Sequence, residues 1–142
     1  MKNKILQISA IIAIFIVAIV RIVDNTEKII LHWDLWGNIT SYGSKYYIIF
    51  LPIISLIIYA LFRYYKRNPY KMNQISKIEV TPDNTKLLSR YISIVASLIL
   101  LVLLYITVCS AQITKLQPTI VIAILFFIIG YYIYTNIKLR RK

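Results

Sequence analysis

The sequence predicts an all-α membrane protein, a bundle of four transmembrane helices with an ordered extracytoplasmic loop between the first two. Of 142 residues, 59% are hydrophobic and only 15% are charged, and the mean hydropathy is +0.70. A soluble domain has roughly 45–50% apolar and about 25% charged residues. The surplus of apolar side chains exceeds what one small core can bury, so we expect lipid to cover part of the surface.

Four apolar segments justify the helix count, because each reaches the roughly 17–25 residues that a spanning helix requires. The predicted spans are residues 5–23, 46–62, 91–110 and 119–137. They form a single integral membrane domain over residues 1–142, with a first loop at 24–45 and a second at 63–90. Pro52 lies inside the second span and is expected to kink it.

The distribution of Lys and Arg predicts the orientation, since these residues resist translocation across the membrane. Thirteen of the 17 fall in the two termini and the second loop, and the other four lie on the opposite side, three in the first and third loops and Arg21 at the outer end of the first span. We therefore expect both termini and the second loop to be cytoplasmic. The net charge of +12 would suggest nucleic acid in a soluble protein. Here it is better explained by basic helix flanks that contact anionic membrane lipids, so no nucleic-acid partner is expected.

The first loop is the unusual segment, because it holds both tryptophans, the sole histidine and two of the three glycines. Trp33 and Trp36 favour the headgroup zone of a membrane. Gly37 and Gly43 are expected to adopt backbone conformations that other residues avoid. We interpret the loop as an ordered cap on the outer face. Simple anchoring by aromatic side chains explains the composition equally well.

Metal and catalytic chemistry are not expected in this loop. His32 and Asp34 offer two ligands, fewer than a structural zinc takes or the three that a catalytic zinc usually takes from protein. Ser41 and Ser44 are close in sequence, but neither belongs to a nucleophile motif. A polar interaction of His32 and Asp34 that stiffens the loop is the simpler interpretation. We predict no enzyme activity, no cofactor and no metal site.

The stretch from His32 to Lys45 resembles the signature of a bacterial membrane domain of unknown function found in SdpI-type immunity proteins. Its matching residues are His32, Trp33, Gly37, Tyr42, Gly43, Ser44 and Lys45. Pro52 fits a proline that the family places early in the next helix. Ile30, Asp34 and Thr40 depart from the family, which prefers proline, asparagine and often an acid at these places.

The second loop is also similar to the family at Thr81-Pro82-Asp83-Asn84. This segment has an explanation of its own, because Thr81 suits a helix N-cap, Pro82 the first helical position and Asp83 the positive end of a helix. The resemblance covers about half the chain. The longer immunity proteins have further helices that this sequence lacks.

The resemblance implies a bacterial inner-membrane protein whose outer loop recognises a membrane-active, toxin-like peptide or a lipid-associated ligand. It also implies a cytosolic regulator as a partner of the basic second loop. The candidate ligand-binding residues are His32, Trp33, Asp34, Trp36, Gly37, Tyr42, Gly43, Ser44 and Lys45. A small permease or transporter component is the alternative, although carriers usually place ionisable groups inside the bundle and these spans have no Asp or Glu.

Overall fold

The computed structural model describes residues 2–72 and 78–140, and these residues are mostly helical. Its helices are α1 Lys2–Val23, α2 Phe50–Arg67, α3 Pro82–Ser110 and α4 Pro118–Arg140. Within the described residues, all four are long and apolar enough to cross a membrane, which confirms the prediction of four such helices. The 29 residues of α3 extend about 44 Å, more than the ~30 Å of a bilayer hydrocarbon core.

Helix α3 is the central helix of the bundle and packs against α1, α2 and α4. In the most apolar stretch of α3, 44% of the residues are buried, whereas in the corresponding stretch of α4 only 6% are buried. Ala10 and Ile11 of α1 pack on Leu100 of α3 in one buried cluster. Most apolar side chains of α4 face outward, as on a helix that contacts lipid.

Helix α3 begins where its capping residues predict. Thr81 is extended, and its hydroxyl accepts a hydrogen bond from the backbone N–H of Asn84 at 3.2 Å. Pro82 occupies the first turn, where a missing N–H costs no helical bond, and Asp83 follows it. The residues Thr81, Pro82 and Asp83 are therefore explained by their roles at the start of α3.

Both flanking helices continue beyond the predicted apolar spans into the second loop, and α3 does so from the N-cap that Thr81 predicts. Helix α2 continues to Arg67, a 3-10 turn covers Pro69–Met72, and α3 already begins at Pro82. Hydropathy missed these ends because Lys and Arg there are compatible with helix but not with a membrane core. Residues 73–77 of this predicted loop lie outside the described residues.

The first loop contains β structure, so the all-α prediction is wrong there. Strands β1 Lys28–Trp33 and β2 Ile39–Ser44 form an antiparallel hairpin with Ile29 opposite Gly43, and its register shifts on both sides of His32. The cause is local: β-branched and aromatic residues flank a turn that contains Asp and Gly. A 3-10 turn at Lys45–Ile49 then leads into α2.

Pro52 lies in the first turn of α2 and, as predicted, inside the second apolar segment, which the structure extends over Lys45–Arg67. It is buried, and its carbonyl accepts a hydrogen bond from Ser55 Oγ at 2.6 Å. The chain changes from 3-10 to α geometry just before it, between Ile49 and Phe50. Proline is tolerated at the start of a helix, so its position agrees with this change of geometry.

Candidate binding site at the hairpin

The base of the hairpin is bonded to the end of α1. Lys45 donates from Nζ to the backbone carbonyl of Asp24 at 2.7 Å, and its backbone N–H donates to the backbone carbonyl of Glu27 at 3.0 Å. Arg21 forms a salt bridge with Asp24 at 2.9 Å and also donates to the Thr26 hydroxyl. Lys45 therefore ties the start of the second helical segment to the end of the first.

The charge of Asp24 is stabilised within this network. Burial raises the pKa of its carboxyl group, but hydrogen bonds from Thr26 and the positive charge of Arg21 outweigh burial and lower the pKa overall. Asp24 thus remains ionised and is already paired with a cation.

Side chains at the end of α3 hold strand β1. Ser110 donates from Oγ to the carbonyl of Ile30 at 2.7 Å in a buried hydrogen bond. Gln112 donates from Nε2 to the carbonyl of Lys28 at 2.9 Å. Gln112 does so from a left-handed backbone conformation, with φ 59°. These two bonds attach the hairpin to a helix more than 75 residues away in sequence.

The underside of the hairpin contributes to the apolar core. Ile29 is buried in one cluster with Ala18 of α1, Ile48 before α2 and Ala111 after α3, and Leu31 packs against this cluster. Burial of a side chain such as Ile29 stabilises a fold by roughly 1.5–3 kcal/mol. The hairpin is therefore a packed part of the bundle.

The turn of the hairpin is built around Asp34. Its Oδ1 accepts hydrogen bonds from the backbone N–H groups of Trp36 at 2.9 Å and Asn38 at 2.8 Å, and its Oδ2 accepts from Asn38 Nδ2 at 2.8 Å. The Asn38 side chain is the largest cause of the lowered pKa of Asp34. Asp34 thus braces the turn with Asn38 and Trp36 as its partners, and the predicted interaction of His32 with Asp34 is wrong.

The loop glycines are required for two different reasons. Gly37 has φ +86°, and a Cβ atom there would lie 2.9 Å from Pro118 Cδ at the start of α4. Gly43 has no positive φ, so the predicted special conformation is wrong at this position. A Cβ atom on Gly43 would lie 2.8 Å from Leu31 Cγ, so Gly43 is required by space.

The hairpin presents two large apolar side chains at its tip. Leu35 is 87% exposed and Trp36 is 85% exposed, although the backbone that carries them is tightly bonded. Along β2, Tyr42 and Ser44 are also exposed. These two side chains are therefore accessible to a membrane surface or to a partner.

A groove of about 560 Å³ lies between the hairpin and the segment that joins α3 to α4. Trp33, Asn38 and Ile39 line its hairpin side, and Ile113 and Leu116 line the other side. Trp33 is half-buried at this groove, while Trp36 is exposed at the tip. Trp33 ends strand β1 and Trp36 belongs to the turn that follows it.

His32 and Ser41 are opposite each other in the hairpin register. His32 is exposed, and the structure shows no side-chain hydrogen bond for it within residues 2–72 and 78–140. Ser41 Oγ is buried and has no partner in the same residues. The described part of the chain contains no group of three or more His, Cys, Asp or Glu side chains placed to hold a metal ion.

Sequence reasoning missed Ser110, Gln112 and Pro118, which join the hairpin to the rest of the bundle. Ser110 lies inside an apolar run, and Gln112 and Pro118 lie in a short connection. The glycine at position 37 signalled that a close neighbour or an unusual φ was needed, but only the fold identifies that neighbour.

Comparisons with protein-family models, with curated proteins and with solved structures found no match to this chain. The resemblance to SdpI-type immunity proteins therefore stays a prediction from the motif residues.

Proposed function

We propose that this chain is a non-enzymatic protein of the bacterial inner membrane that recognises a membrane-active peptide through its hairpin. Both termini would lie in the cytoplasm and the hairpin outside, as the distribution of Lys and Arg predicts. This assignment agrees with the resemblance of residues 32–45 to SdpI-type immunity proteins. It extends to lipid-associated ligands of the same amphipathic character.

One observation carries the proposal: the more exposed of the two tryptophans is on a turn that three hydrogen bonds to the Asp34 carboxylate hold. Trp36 is 85% exposed beside Leu35, and its own N–H donates to Asp34. A fixed backbone reduces the entropy lost when the side chain is immobilised by a partner. Tryptophan is enriched among residues that dominate binding energy.

Apolar burial, more than charge, would drive recognition. Two of the three acids in the first loop, Asp24 and Asp34, are already engaged by Arg21 and by the hairpin turn. Glu27 is exposed and lies next to Lys28, so the local charge nearly cancels. An amphipathic peptide would place its apolar face on Leu35 and Trp36 and extend into the groove beside Trp33.

We favour binding over transport for a physical reason. Carriers of ions or protons usually place ionisable side chains within the bundle. The five acids of this chain lie outside the spans predicted from the sequence, and Asp83 lies in the first turn of α3. A cytosolic regulator that contacts the basic segment between α2 and α3 would complete a signalling role, as the resemblance implies.

The test compares strains that carry the wild-type chain, Trp36→Ala, or a gene deletion, each challenged with cationic membrane-active peptides. Val23→Ala is the matched control, because Val23 is 78% exposed and apolar at the same end of the bundle. Recognition predicts normal abundance and lost protection for Trp36→Ala, with protection retained by Val23→Ala. Equal survival of the deletion and wild-type strains would refute immunity against the peptides used.

A further inference from the structure

We propose that a cleft between α1, α2 and α3, at the end of the bundle opposite the hairpin, binds the phosphodiester headgroup of an anionic phospholipid. The cleft has a volume of about 340 Å³. Four cations line it and no acid does: Lys4 from α1 and Arg63, Lys66 and Arg67 from α2. This site is independent of the hairpin and of the function proposed for it.

Helix packing brings these four cations together. The start of α1, the end of α2 and the first half of α3 lie at the same end of the bundle, because successive spans run in opposite directions. Like charges around one cleft repel each other, and the repulsion is stronger beside an apolar wall than in open water. A bound anion would remove this cost and add charge-assisted hydrogen bonds.

One of the cations is already oriented. Arg63 is half-buried, its guanidinium lies 5.8 Å from the centre of the Tyr59 ring, and it donates to Tyr59 Oη at 3.3 Å. An arginine held by an aromatic ring keeps further N–H groups free for a phosphate. Lys66 and Arg67 are exposed next to it and add charge at the mouth of the cleft.

The floor of the cleft is polar, neutral and internally bonded. Gln7 is buried, and its Nε2 donates to the carbonyl of Ser93 at 3.0 Å and to Ser97 Oγ at 3.1 Å. Ser97 in turn donates to the Ser93 carbonyl at 2.9 Å. Ser89 also lines the cleft, and its hydroxyl has no partner within the described residues. Its O–H group is thus free to donate to a phosphate oxygen.

The apolar part of the lining favours a lipid over free phosphate. Phe62, Ile92 and Ala96 line the same cleft as the cations. A headgroup attached to acyl chains would use both parts, with the phosphate at the cations and the glycerol region against the apolar wall. Basic pockets between transmembrane helices are known to bind anionic headgroups in this way.

The test uses the purified full-length chain in detergent, with phosphatidylglycerol, phosphatidylcholine or inorganic phosphate added. The measurements are the melting temperature at each concentration and the lipid retained in native mass spectrometry. We expect phosphatidylglycerol to raise the melting temperature and one molecule to be retained, with phosphatidylcholine much less effective. Arg63→Gln/Lys66→Gln should weaken phosphatidylglycerol binding about 25-fold, at roughly fivefold per charge.

Two controls make the result specific. Lys86→Gln/Arg90→Gln removes two cations from the same end of the bundle, outside the cleft, and should leave binding unchanged. Tyr59→Phe keeps every charge and removes the hydroxyl that orients Arg63, so it should weaken binding without a change in net charge. Tyr59→Phe also replaces Arg63→Gln/Lys66→Gln as the test variant if Arg63→Gln/Lys66→Gln does not fold.

Equal losses in the two double variants would overturn the proposal, because they would indicate general attraction between basic flanks and anionic lipid. Equal effects of phosphatidylglycerol and phosphatidylcholine would overturn it as well. If inorganic phosphate alone reproduced the rise in melting temperature, the cleft would be a site for free phosphate and the lipid assignment would be wrong.

Discussion

Ser110 Oγ donates a hydrogen bond to the carbonyl of Ile30 at 2.7 Å, across 80 residues of sequence. Both atoms are in a buried environment. Their bond connects the end of the central helix to the first strand of the hairpin, next to the buried Ile29. The position of the hairpin on the bundle therefore depends on a side chain in α3.

The first prediction tests this connection. Ser110→Ala should lower the free energy of unfolding by about 0.5–1.5 kcal/mol, because it removes a buried hydrogen bond to the Ile30 carbonyl. The measurement is thermal unfolding in detergent. Ser44→Ala is the matched control, since Ser44 is exposed on the hairpin and makes no side-chain cap bond. Equal stability of the two variants would show that the bond contributes nothing.

The second prediction separates the two loop glycines. Gly43→Ala is expected to be destabilising through the side chain of Leu31, whereas Gly37→Ala meets the Leu116 carbonyl and Pro118 from a positive φ. Leu31→Ala should therefore restore part of the folded yield of Gly43→Ala and none of that of Gly37→Ala. Fluorescence-detected size exclusion measures the yield.

A larger substitution gives the control. Gly43→Val should reduce the yield more than Ser41→Val, because the space at Gly43 is already filled by Leu31. If both valine variants fold equally well, the hairpin adapts easily and its packing on the bundle is weaker than the structure indicates.

The four helices were predictable because each apolar run reaches the length that a membrane-spanning helix requires. Their ends were harder, since charged residues such as Arg67 at the end of α2 continue a helix beyond the apolar run. The Thr81 cap was predictable because it depends on a short local pattern. Local signals and span lengths thus account for most of the helical structure.

The strands of the hairpin had a local signal that hydropathy did not reveal, whereas the placement of the hairpin on the bundle was not predictable, because its supports are distant in sequence. Ser110, Gln112 and Pro118 contact it from α3 and from the segment up to α4, and nothing in residues 24–45 reports them. The unusual composition of residues 24–45 did identify the segment that contains the hairpin. The position of the hairpin on the bundle follows from contacts that only the assembled bundle provides.

The third prediction concerns the turn. Asp34→Ala removes three hydrogen bonds, whereas Asp34→Asn retains an oxygen that accepts the two backbone N–H groups and loses only the bond from Asn38 Nδ2. Amide exchange at Trp36 and Asn38 should accelerate strongly in Asp34→Ala and weakly in Asp34→Asn. Equal acceleration would mean that the backbone bonds are unimportant.

The turn should also depend on pH in a defined direction. The folded pKa of Asp34 is lowered, so its contribution is fully present above the unfolded pKa, near 3.8, and is lost as the pH falls through the folded pKa. Amide exchange at Trp36, corrected for its intrinsic pH dependence, should rise in this acidic range. Asp34→Asn should lack this rise, which separates Asp34 from the other acids.

The fourth prediction tests orientation. Thr40→Cys, on the exposed strand β2, should react with an impermeant thiol reagent in intact cells, and Glu79→Cys, exposed before α3, should react only after lysis. Native Cys109 is buried, so the wild-type chain is the control for background labelling. The opposite pattern would place the hairpin in the cytoplasm and remove the basis for an extracytoplasmic ligand.

The last prediction concerns Gln112, which ends α3 with φ 59° and donates from Nε2 to the Lys28 carbonyl. The backbone is held in this conformation, because the N–H of Gln112 donates to Cys109 and that of Ile113 donates to Val108. Gln112→Ala loses the side-chain bond and keeps the unfavourable φ, whereas Gln112→Gly loses the bond but is compatible with the φ. Gln112→Gly should therefore be about 1 kcal/mol more stable than Gln112→Ala.

At a position inside a helix, the alanine variant would be the more stable of the two, since glycine there is less favourable than alanine by about 1 kcal/mol. Ile113→Gly serves as the control, because Ile113 is exposed in the next position and has no positive φ. It should be no more stable than Ile113→Ala. If alanine were the better residue at position 112 as well, the helix would not end in this left-handed conformation, and the bond from Gln112 to β1 would have to form from a different backbone.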